Sequence, residues 1–177
     1  MGTGILVCGL NGAGKSTLGL ELANNLGFYF IDNEYLFFNR TSNNEPYTNP
    51  RSHEEAVELL MTEVQNNPNF VFSAVRGDYG KDIISMYDFV VLIEAPAEVR
   101  LQRIRNRSHS KFGDRMLEEG DLFEQEEAFF RFAESRSSDY VEQWLETLNC
   151  PILRVDGTKP IKESIDCILK NIGDYRS

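Results

Sequence analysis

A glycine-rich segment near the start of the chain has the residue types that bind phosphate. Residues 9–16 read Gly-Leu-Asn-Gly-Ala-Gly-Lys-Ser, a complete G-x-x-x-x-G-K-[ST] pattern, here called the phosphate loop. Its glycines allow a tight turn in which several N–H groups point at phosphate oxygens. We expect Lys15 to reach the β- and γ-phosphates of a nucleotide and the Ser16 hydroxyl to bind Mg²⁺. The predicted nucleotide-binding residues of this segment are Gly9, Asn11, Gly12, Ala13, Gly14, Lys15, Ser16 and Thr17.

A second candidate for phosphate chemistry is a pair of arginines, Arg103 and Arg107. They are four residues apart, so they share one face of a helix. During phosphoryl transfer the equatorial oxygens carry charge, which planar guanidinium groups neutralise well. The same spacing also suits a solvated basic helix end that complements the helix dipole. Residues 100–115 hold six basic residues and one acidic residue in a chain of net charge −10, which favours a small anionic ligand and argues against nucleic acid.

Alternating strand and helix patterns supply the elements that would position these residues. Apolar runs predict five strands, and three- and four-residue spacing predicts five helices, the fourth with a break near Ser135–Ser138. This alternation implies one α/β domain over residues 1–177, with a parallel sheet covered on both faces. The predicted strands are 4–8, 28–31, 70–75, 89–93 and 152–155, and the helices are 17–26, 53–64, 97–104, 122–148 and 161–172.

Composition limits the compartment and the partners. No run of about 18 apolar residues occurs, so no membrane partner is expected. Three cysteines without a C-x-x-C pair make a disulfide framework or zinc site improbable and favour a reducing, cytoplasmic location. We expect a monomer or a homodimer that binds small molecules.

The fourth predicted helix carries aromatic and charged side chains. Its aromatic residues are expected to pack in the core, and residues 124–127 are expected to form a solvated acidic face. Arg131 and Arg136 are candidates to enter the active site from this helix. The aromatic residues are Phe129, Phe130, Phe132, Tyr140 and Trp144.

Together the phosphate loop and the later segments resemble the P-loop kinases of small molecules. Residues 103–107 are similar to the R-x-x-x-R at the lid entrance of nucleoside monophosphate kinases, which implies that Arg103 stacks on adenine and Arg107 binds the transferring phosphate. Residues 154–160, Arg-Val-Asp-Gly-Thr-Lys-Pro, resemble the terminal turn of bacterial adenylate kinases and place Gly157 and Lys159 near adenine. The resemblance implies a three-layer sandwich with strand order 2-3-1-4-5 and a lid over residues 106–120.

Two other segments resemble metabolite kinases. Residues 72–76, Phe-Ser-Ala-Val-Arg, are similar to a segment of gluconate kinases, and no acidic residue ends that strand. Asp32 and Glu34 resemble the D-x-D of shikimate kinases. This implies that Asp32 holds the water shell of Mg²⁺ and that Glu34 contacts the acceptor hydroxyl, which it could orient or deprotonate. A turn residue and helix N-cap is the alternative interpretation of Asp32.

The resemblance predicts transfer of the γ-phosphoryl group of MgATP to a small acceptor. A nucleoside monophosphate or nucleotide-like acceptor is the first choice. A metabolite of the gluconate or shikimate type is the second, and an ATP-binding regulatory protein without turnover is the third. Residues 35–69 are assigned to acceptor binding. The predicted catalytic residues are Lys15, Asp32, Glu34, Arg76 and Arg107, and the predicted acceptor-binding residues are Glu34, Arg40, Arg51, Arg76 and Arg115.

Overall fold

The fold is built on five parallel strands in the order β2-β3-β1-β4-β5, as predicted. A computed structural model describes residues 2–38 and 50–176 of the chain. The central strand β1 pairs with β3 on one side and with β4 on the other, so the residues that follow β1 emerge in the middle of the sheet. The strands are β1 Gly4–Cys8, β2 Tyr29–Asp32, β3 Phe70–Ser73, β4 Tyr87–Glu94 and β5 Ile152–Asp156.

Eight helices are described around this sheet. A capping box formed by Ser52 and Glu55 starts α3, in which the Ser52 side chain accepts from the Glu55 N–H and the Glu55 carboxylate accepts from the Ser52 N–H. The helices are α1 Lys15–Leu26, α2 Asn33–Phe37, α3 His53–Asn66, α4 Lys81–Ile84, α5 Ala97–Phe112, α6 Phe123–Ser135, α7 Asp139–Leu145 and α8 Ile161–Arg176. None of the helices in the described part of the chain is long and apolar enough to cross a membrane.

The two faces of the sheet are covered by different helices. Successive side chains of a strand point to opposite faces, so Leu6 of β1 packs with α3 and α7, while Ile5 packs with α1 and α8. A third, smaller cluster joins α5 to α6 through Ile104, Phe112 and Phe130. The molecule is therefore a three-layer sandwich with an added helical layer formed by α5 and α6.

Several predicted boundaries differ from the observed ones. Helix α5 does not end at residue 104 but continues to Phe112, so the first half of the segment assigned to a lid is helical. The chain leaves that helix at Gly113, whose φ of +56° is accessible to glycine, and a 3₁₀ turn follows at Gly113–Met116. The anticipated break in the fourth predicted helix is confirmed, because α6 ends at Ser135 and α7 begins at Asp139.

Strand β3 is shorter than predicted and ends at Ser73. Ala74 still donates to the carbonyl of Val7, but the carbonyl of Val75 accepts from the N–H of Gly9 at 3.2 Å. Residues 74–75 thereby leave the regular ladder and support the start of the phosphate loop. The short helices α2 and α4 lie in segments without clear periodicity and were not predicted.

Candidate functional site

The phosphate loop joins β1 to α1 and depends on glycine at three positions. Gly9, Gly12 and Gly14 have φ values of +146°, +80° and +109°. A Cβ atom at Gly12 would lie 2.4 Å from the carbonyl oxygen of Arg100, and one at Gly9 would lie 2.3 Å from that of Ile93. Any larger residue would therefore clash with backbone, which accounts for glycine at these two positions.

Lys15 begins α1, and its ammonium group lies folded over the phosphate loop. Its Nζ atom donates to the carbonyl of Leu10 at 2.9 Å. The pKa of Lys15 is lowered to about 8, chiefly by burial; the Asp32 carboxylate opposes this shift, and the positive charges of Arg107 and Arg136 add smaller contributions to it. A bound phosphate would add counter-charge to this desolvated cation beyond that of Asp32.

A cavity of about 380 Å³ opens beside the phosphate loop. It brings together five residues predicted to act in phosphoryl transfer, which come from the phosphate loop, the β2–α2 junction and α5: Lys15, Ser16, Asp32, Glu34 and Arg107. Its remaining walls come from residues 11–12, 33, 38, 73–75, 108, 111–112, 125–126 and 129.

Asp32 is the last residue of β2 and the N-cap of α2. Its Oδ1 atom accepts a hydrogen bond from the N–H of Glu34 at 2.9 Å, as the capping interpretation predicted. Its carboxylate also lines the cavity, so the cap does not withdraw it from the site. At the end of the neighbouring strand, Ser73 donates through Oγ to the carbonyl of Lys15 at 3.1 Å and thus fixes the first turn of α1.

The oxygen ligands in this cavity suit magnesium. The Ser16 hydroxyl and the Asp32 carboxylate line the same space. Within residues 2–38 and 50–176 there is no cluster of three or more His, Cys, Asp or Glu side chains that could hold a metal by themselves. Mg²⁺ is commonly bound by one or two protein oxygens together with substrate phosphates and water. This donor set therefore fits Mg²⁺ that arrives with a nucleotide.

Arg103 connects the phosphate loop to the turn after β5. Its guanidinium group donates to the carbonyl of Ala13 at 3.1 Å and to that of Gly157 at 2.8 Å. The N–H of Gly157 donates to the carbonyl of Glu94 at 2.7 Å, and a Cβ atom at Gly157 would lie 2.7 Å from the Ala13 oxygen. Lys159 is exposed in the same turn. The structure thus brings together the residues that the resemblance assigns to the adenine side.

The arginines predicted to bind the acceptor are placed differently. Arg76 pairs with Asp78 at 3.2 Å and lies 4.5 Å from the centre of the Tyr140 ring. Arg51 donates to two carbonyls of α2, and Arg115 forms a two-point ion pair with Asp121. The described walls of the cavity do not include these three arginines. Arg40 lies outside the described residues.

Two other arginines contact the phosphate loop. Arg100 is buried, and it donates to the carbonyls of Ala95 at 3.2 Å and Asn11 at 3.1 Å. Arg136 donates to Oδ1 of Asn11 at 3.2 Å and lies over the ring of Tyr140. The sequence analysis proposed Arg136 as a site residue but not Arg100. In the sequence, only its position in the first turn of α5 distinguishes Arg100 from the other basic residues of that helix. Arg131 is exposed.

The expected core aromatic residues divide into two groups. Phe130 and Trp144 are buried as predicted, and Phe129 is half-buried and lines the cavity. Phe132 and Tyr140 are exposed, contrary to the prediction, because their rings pack against the guanidinium group of Arg136 instead of the core. These two rings position an arginine beside the phosphate loop.

The prediction of a solvated face over residues 124–127 is wrong at Glu126. This side chain is 4% exposed and lines the cavity, whereas Glu124 is exposed. The reason is tertiary: α6 packs against α5 through Phe130 and Ala133, and Glu126 lies on that same face of the helix. Glu126, Phe130 and Ala133 are spaced by four and three residues, and this helical spacing was the sequence signal that Glu126 lies on the buried face of α6.

Comparison of the sequence with known families gives a match over most of the chain. The sequence profile described as an AAA domain matches residues 5–128, which include β1, the phosphate loop and α5. The chain belongs to this AAA domain family.

Individual relatives and solved structures refine this result. The chain is 28% identical over 181 residues to the uncharacterized protein YqaC of Bacillus subtilis (strain 168), covering 98% of this chain and 97% of that protein. It is 26% identical over 178 residues to an adenylate kinase isoenzyme 6 homolog of Caenorhabditis elegans, and the match covers 98% of this chain and 91% of that protein. A shikimate kinase from Acinetobacter baumannii in complex with shikimate superimposes with a TM-score of 0.61 at 17% identity, covering 99% and 95%, which shows a shared fold.

These findings confirm the resemblance stated from the motifs. The family match, the kinase relative and the strand order place the chain in the superfamily of P-loop small-molecule kinases.

Proposed function

We propose that the protein is a phosphotransferase that moves the γ-phosphoryl group of MgATP to a small acceptor held in the cavity. The observation that carries this proposal is the convergence of Lys15, Ser16, Asp32 and Arg107 on one cavity beside the phosphate loop. In this arrangement an acceptor oxygen attacks the γ-phosphorus in line, the bond to the β-phosphate oxygen breaks, and ADP leaves.

The nucleotide end is assigned to the phosphate loop and its neighbours. The N–H groups of residues 9–17 and the Lys15 ammonium bind the β- and γ-phosphates. Ser16 would hold Mg²⁺ directly, and Asp32 would hold it through water. When bound, Mg²⁺ neutralises charge on the phosphate oxygens. Arg103 caps adenine, with the backbone of Gly157 and Lys159 beside the base.

The transfer end is assigned to α2 and α5. Arg107 neutralises the charge that develops on the transferring group. Glu34 orients the acceptor hydroxyl and accepts its proton. Lys111 also lines the cavity, and its Nζ atom lies 3.9 Å from a carboxylate oxygen of Glu34. Closure of the segment 106–120 would exclude water, which otherwise competes as the phosphoryl acceptor.

A nucleoside monophosphate is the acceptor that we favour. Phe38, Phe112 and Phe129 line the cavity and offer apolar ring surfaces against which a planar base can pack. The acceptor phosphate would then be bound by arginines, and the candidates remain Arg40, Arg51, Arg76 and Arg115.

A metabolite of the gluconate or shikimate type is the alternative acceptor. Arg51 and Arg76 already have protein partners, and an acceptor without a phosphate group needs neither of them. The two acceptor classes therefore make opposite predictions for removal of charge at Arg40, Arg51 and Arg76. With a monophosphate at least one of the three alanine variants raises the acceptor KM about tenfold or more, and with a metabolite none of them changes it.

The test is acceptor-dependent release of ADP from MgATP. Purified protein is assayed with nucleoside monophosphates, gluconate and shikimate, and Lys15→Ala serves as the blank. Turnover that depends on one acceptor class supports the proposal and chooses between the two kinases. ATP binding without stimulation by any of these acceptors would favour a regulatory ATP-binding protein instead.

A further inference from the structure

Arg100 contacts the phosphate loop from outside the cavity of the candidate site. It lies near the start of α5, and its side chain is buried. The walls that the structure describes for the cavity of about 380 Å³ include Asn11 and Gly12 but not Arg100. Arg100 instead lines a smaller cavity of about 90 Å³, together with Leu10 and Ala95. It is therefore not placed to bind a ligand phosphate itself.

The guanidinium group of Arg100 is held by backbone carbonyls and not by an acid. Within residues 2–38 and 50–176 it forms no ion pair with a carboxylate. Its Nε atom donates to the carbonyl of Ala95 at 3.2 Å, and its Nη1 atom donates to the carbonyl of Asn11 at 3.1 Å. A buried cation is costly unless its donors are satisfied. These two bonds therefore connect the turn after β4 firmly to the phosphate loop.

The bond to Asn11 determines the direction of the next N–H group in the loop. The carbonyl of Asn11 and the N–H of Gly12 belong to one trans peptide, in which the two groups point in opposite directions. Because the carbonyl points at Arg100, the N–H points away from Arg100. In the described part of the chain this N–H has no hydrogen-bond partner, and Gly12 lines the cavity. The N–H is thus available to a phosphate oxygen.

The neighbouring contacts of the loop support the same arrangement. A Cβ atom at Gly12 would lie 2.4 Å from the carbonyl oxygen of Arg100, so the loop packs directly on the start of α5. Lys15 and Arg103 donate to the carbonyls of residues 10 and 13, which flank this peptide. Basic side chains therefore bind three outward-facing carbonyls of the loop. Arg100 is the one of the three that touches the loop with both its side chain and its backbone.

We propose that Arg100 is a positioning residue for nucleotide binding, which orients the N–H of Gly12 toward the phosphates by holding the carbonyl of Asn11. This assignment rests on the proposed function, since it requires that the cavity binds the phosphates of a nucleotide. Without the guanidinium group the peptide between residues 11 and 12 is free to rotate, and glycine at position 12 restricts that rotation little. Ordering the peptide then opposes nucleotide binding.

The test compares the wild type with Arg100→Met, which removes the donors and keeps an apolar side chain in the buried space. Calorimetric titration with a non-hydrolysable MgATP analogue should give a dissociation constant about tenfold higher in the variant, because one charge-assisted hydrogen bond to phosphate is weakened. Arg100→Lys keeps the charge without the planar fork and serves if the methionine variant does not fold.

A second readout follows the N–H of Gly12 itself by nuclear magnetic resonance of protein labelled with ¹⁵N-glycine. In the wild type the Gly12 amide proton should move downfield when the MgATP analogue binds, since it gains a charged acceptor. In Arg100→Met this shift should fall to about half. A role of Arg100 confined to stability would lower the midpoint of thermal unfolding and leave this signal unchanged.

Arg105→Met is the matched control, because Arg105 lies on the same helix, is exposed and pairs with Glu127 at 3.0 Å. It should change neither the dissociation constant nor the Gly12 signal. In folded Arg100 variants, either an unchanged dissociation constant or an unchanged Gly12 signal overturns the positioning role, as does a wild-type Gly12 signal that does not move when the analogue binds.

The outcomes also separate this role from the proposed function. A wild type that does not bind the MgATP analogue overturns both of them. If the Arg100 variants lose affinity as predicted while the wild type phosphorylates no acceptor, the transferase activity is refuted and the positioning role stands.

Discussion

Lys15 is the residue whose charge state controls the nucleotide end of the site. Burial lowers its pKa to about 8, so the side chain of the free protein is charged below about pH 8 and loses its proton as the pH rises through that value. A neutral Lys15 cannot compensate phosphate charge. We therefore predict that kcat/KM for ATP falls above about pH 8.

The measurement is the initial rate at low ATP concentration between pH 6 and pH 10. The value of kcat/KM reports ionisation in the free enzyme, so the descending limb should fall near pH 8. Far-ultraviolet circular dichroism over the same range controls for unfolding. If kcat/KM for ATP stays constant to pH 10 while the protein remains folded, the assignment of Lys15 as the phosphate-binding cation is contradicted.

Asp32 combines a structural role with a proposed chemical one, and two substitutions separate them. Asparagine caps helices about as well as aspartate, so Asp32→Asn should retain the hydrogen bond from the Glu34 N–H and leave stability unchanged. It removes the carboxylate, and turnover should fall about 100-fold. Asp32→Ala loses the cap as well and should cost about 1 kcal/mol of unfolding free energy.

Thermal denaturation and steady-state kinetics on both variants provide the measurements. If Asp32→Asn retains wild-type turnover, the residue is only a helix cap and the proposed magnesium role is wrong.

At the scale of elements, the backbone of the phosphate loop is the part most sensitive to substitution. Gly12 has a φ of +80° and lies close to the Arg100 carbonyl, whereas Gly27, at the end of α1, has a φ of +68° with no atom within 4 Å of an added Cβ. Gly27→Ala should therefore cost only backbone strain, about 1–2 kcal/mol. Gly12→Ala adds a clash with backbone and should weaken ATP binding at least tenfold.

Urea denaturation and ATP titration compare the two glycine variants directly. Equal ATP affinity in Gly12→Ala and Gly27→Ala would show that the close approach to α5 does not shape the nucleotide site.

The elements that sequence reasoning predicted well are those determined locally. Residues 9–16 specify their own turn, and each apolar strand is a short continuous run. The order of the strands is not a local property; it was expected from the resemblance and is confirmed. The end of α5 was missed because residues 105–111 are polar, and only packing of Phe112 against α6 shows that the helix continues.

The sequence predicted the residues of the nucleotide half of the candidate site better than those of the acceptor half. Lys15, Ser16 and Asp32 follow strand ends, and parallel strands bring such residues to one edge of a sheet. Glu126 is buried by the packing of α6 on α5, and Arg100 donates to the carbonyl of Asn11, so both depend on elements that are distant in sequence. Arg51 illustrates the reverse case, since its charge suggested a ligand and its guanidinium group binds carbonyls of α2.

On the scale of the whole molecule, the distribution of charge agrees with a small anionic ligand. The chain has a net charge of −10, yet Lys15, Arg107 and Lys111 all line the cavity, where Asp32, Glu34 and Glu126 also lie. Cations and acids are mixed in the cavity, since Lys111 pairs with Glu34 and the Asp32 carboxylate acts on Lys15. A substrate that carries both a phosphate group and hydrogen-bond donors matches this mixture.

The most direct test of the account follows the phosphoryl group itself. Protein is incubated with Mg²⁺ and ATP labelled with ³²P at the γ position, together with AMP, CMP, gluconate or shikimate, and the labelled products are separated by chromatography. We predict label in one acceptor, dependent on wild-type protein and absent with Lys15→Ala. Label that stays in ATP, or appears only as inorganic phosphate with every acceptor, would contradict the claim that this cavity catalyses phosphoryl transfer.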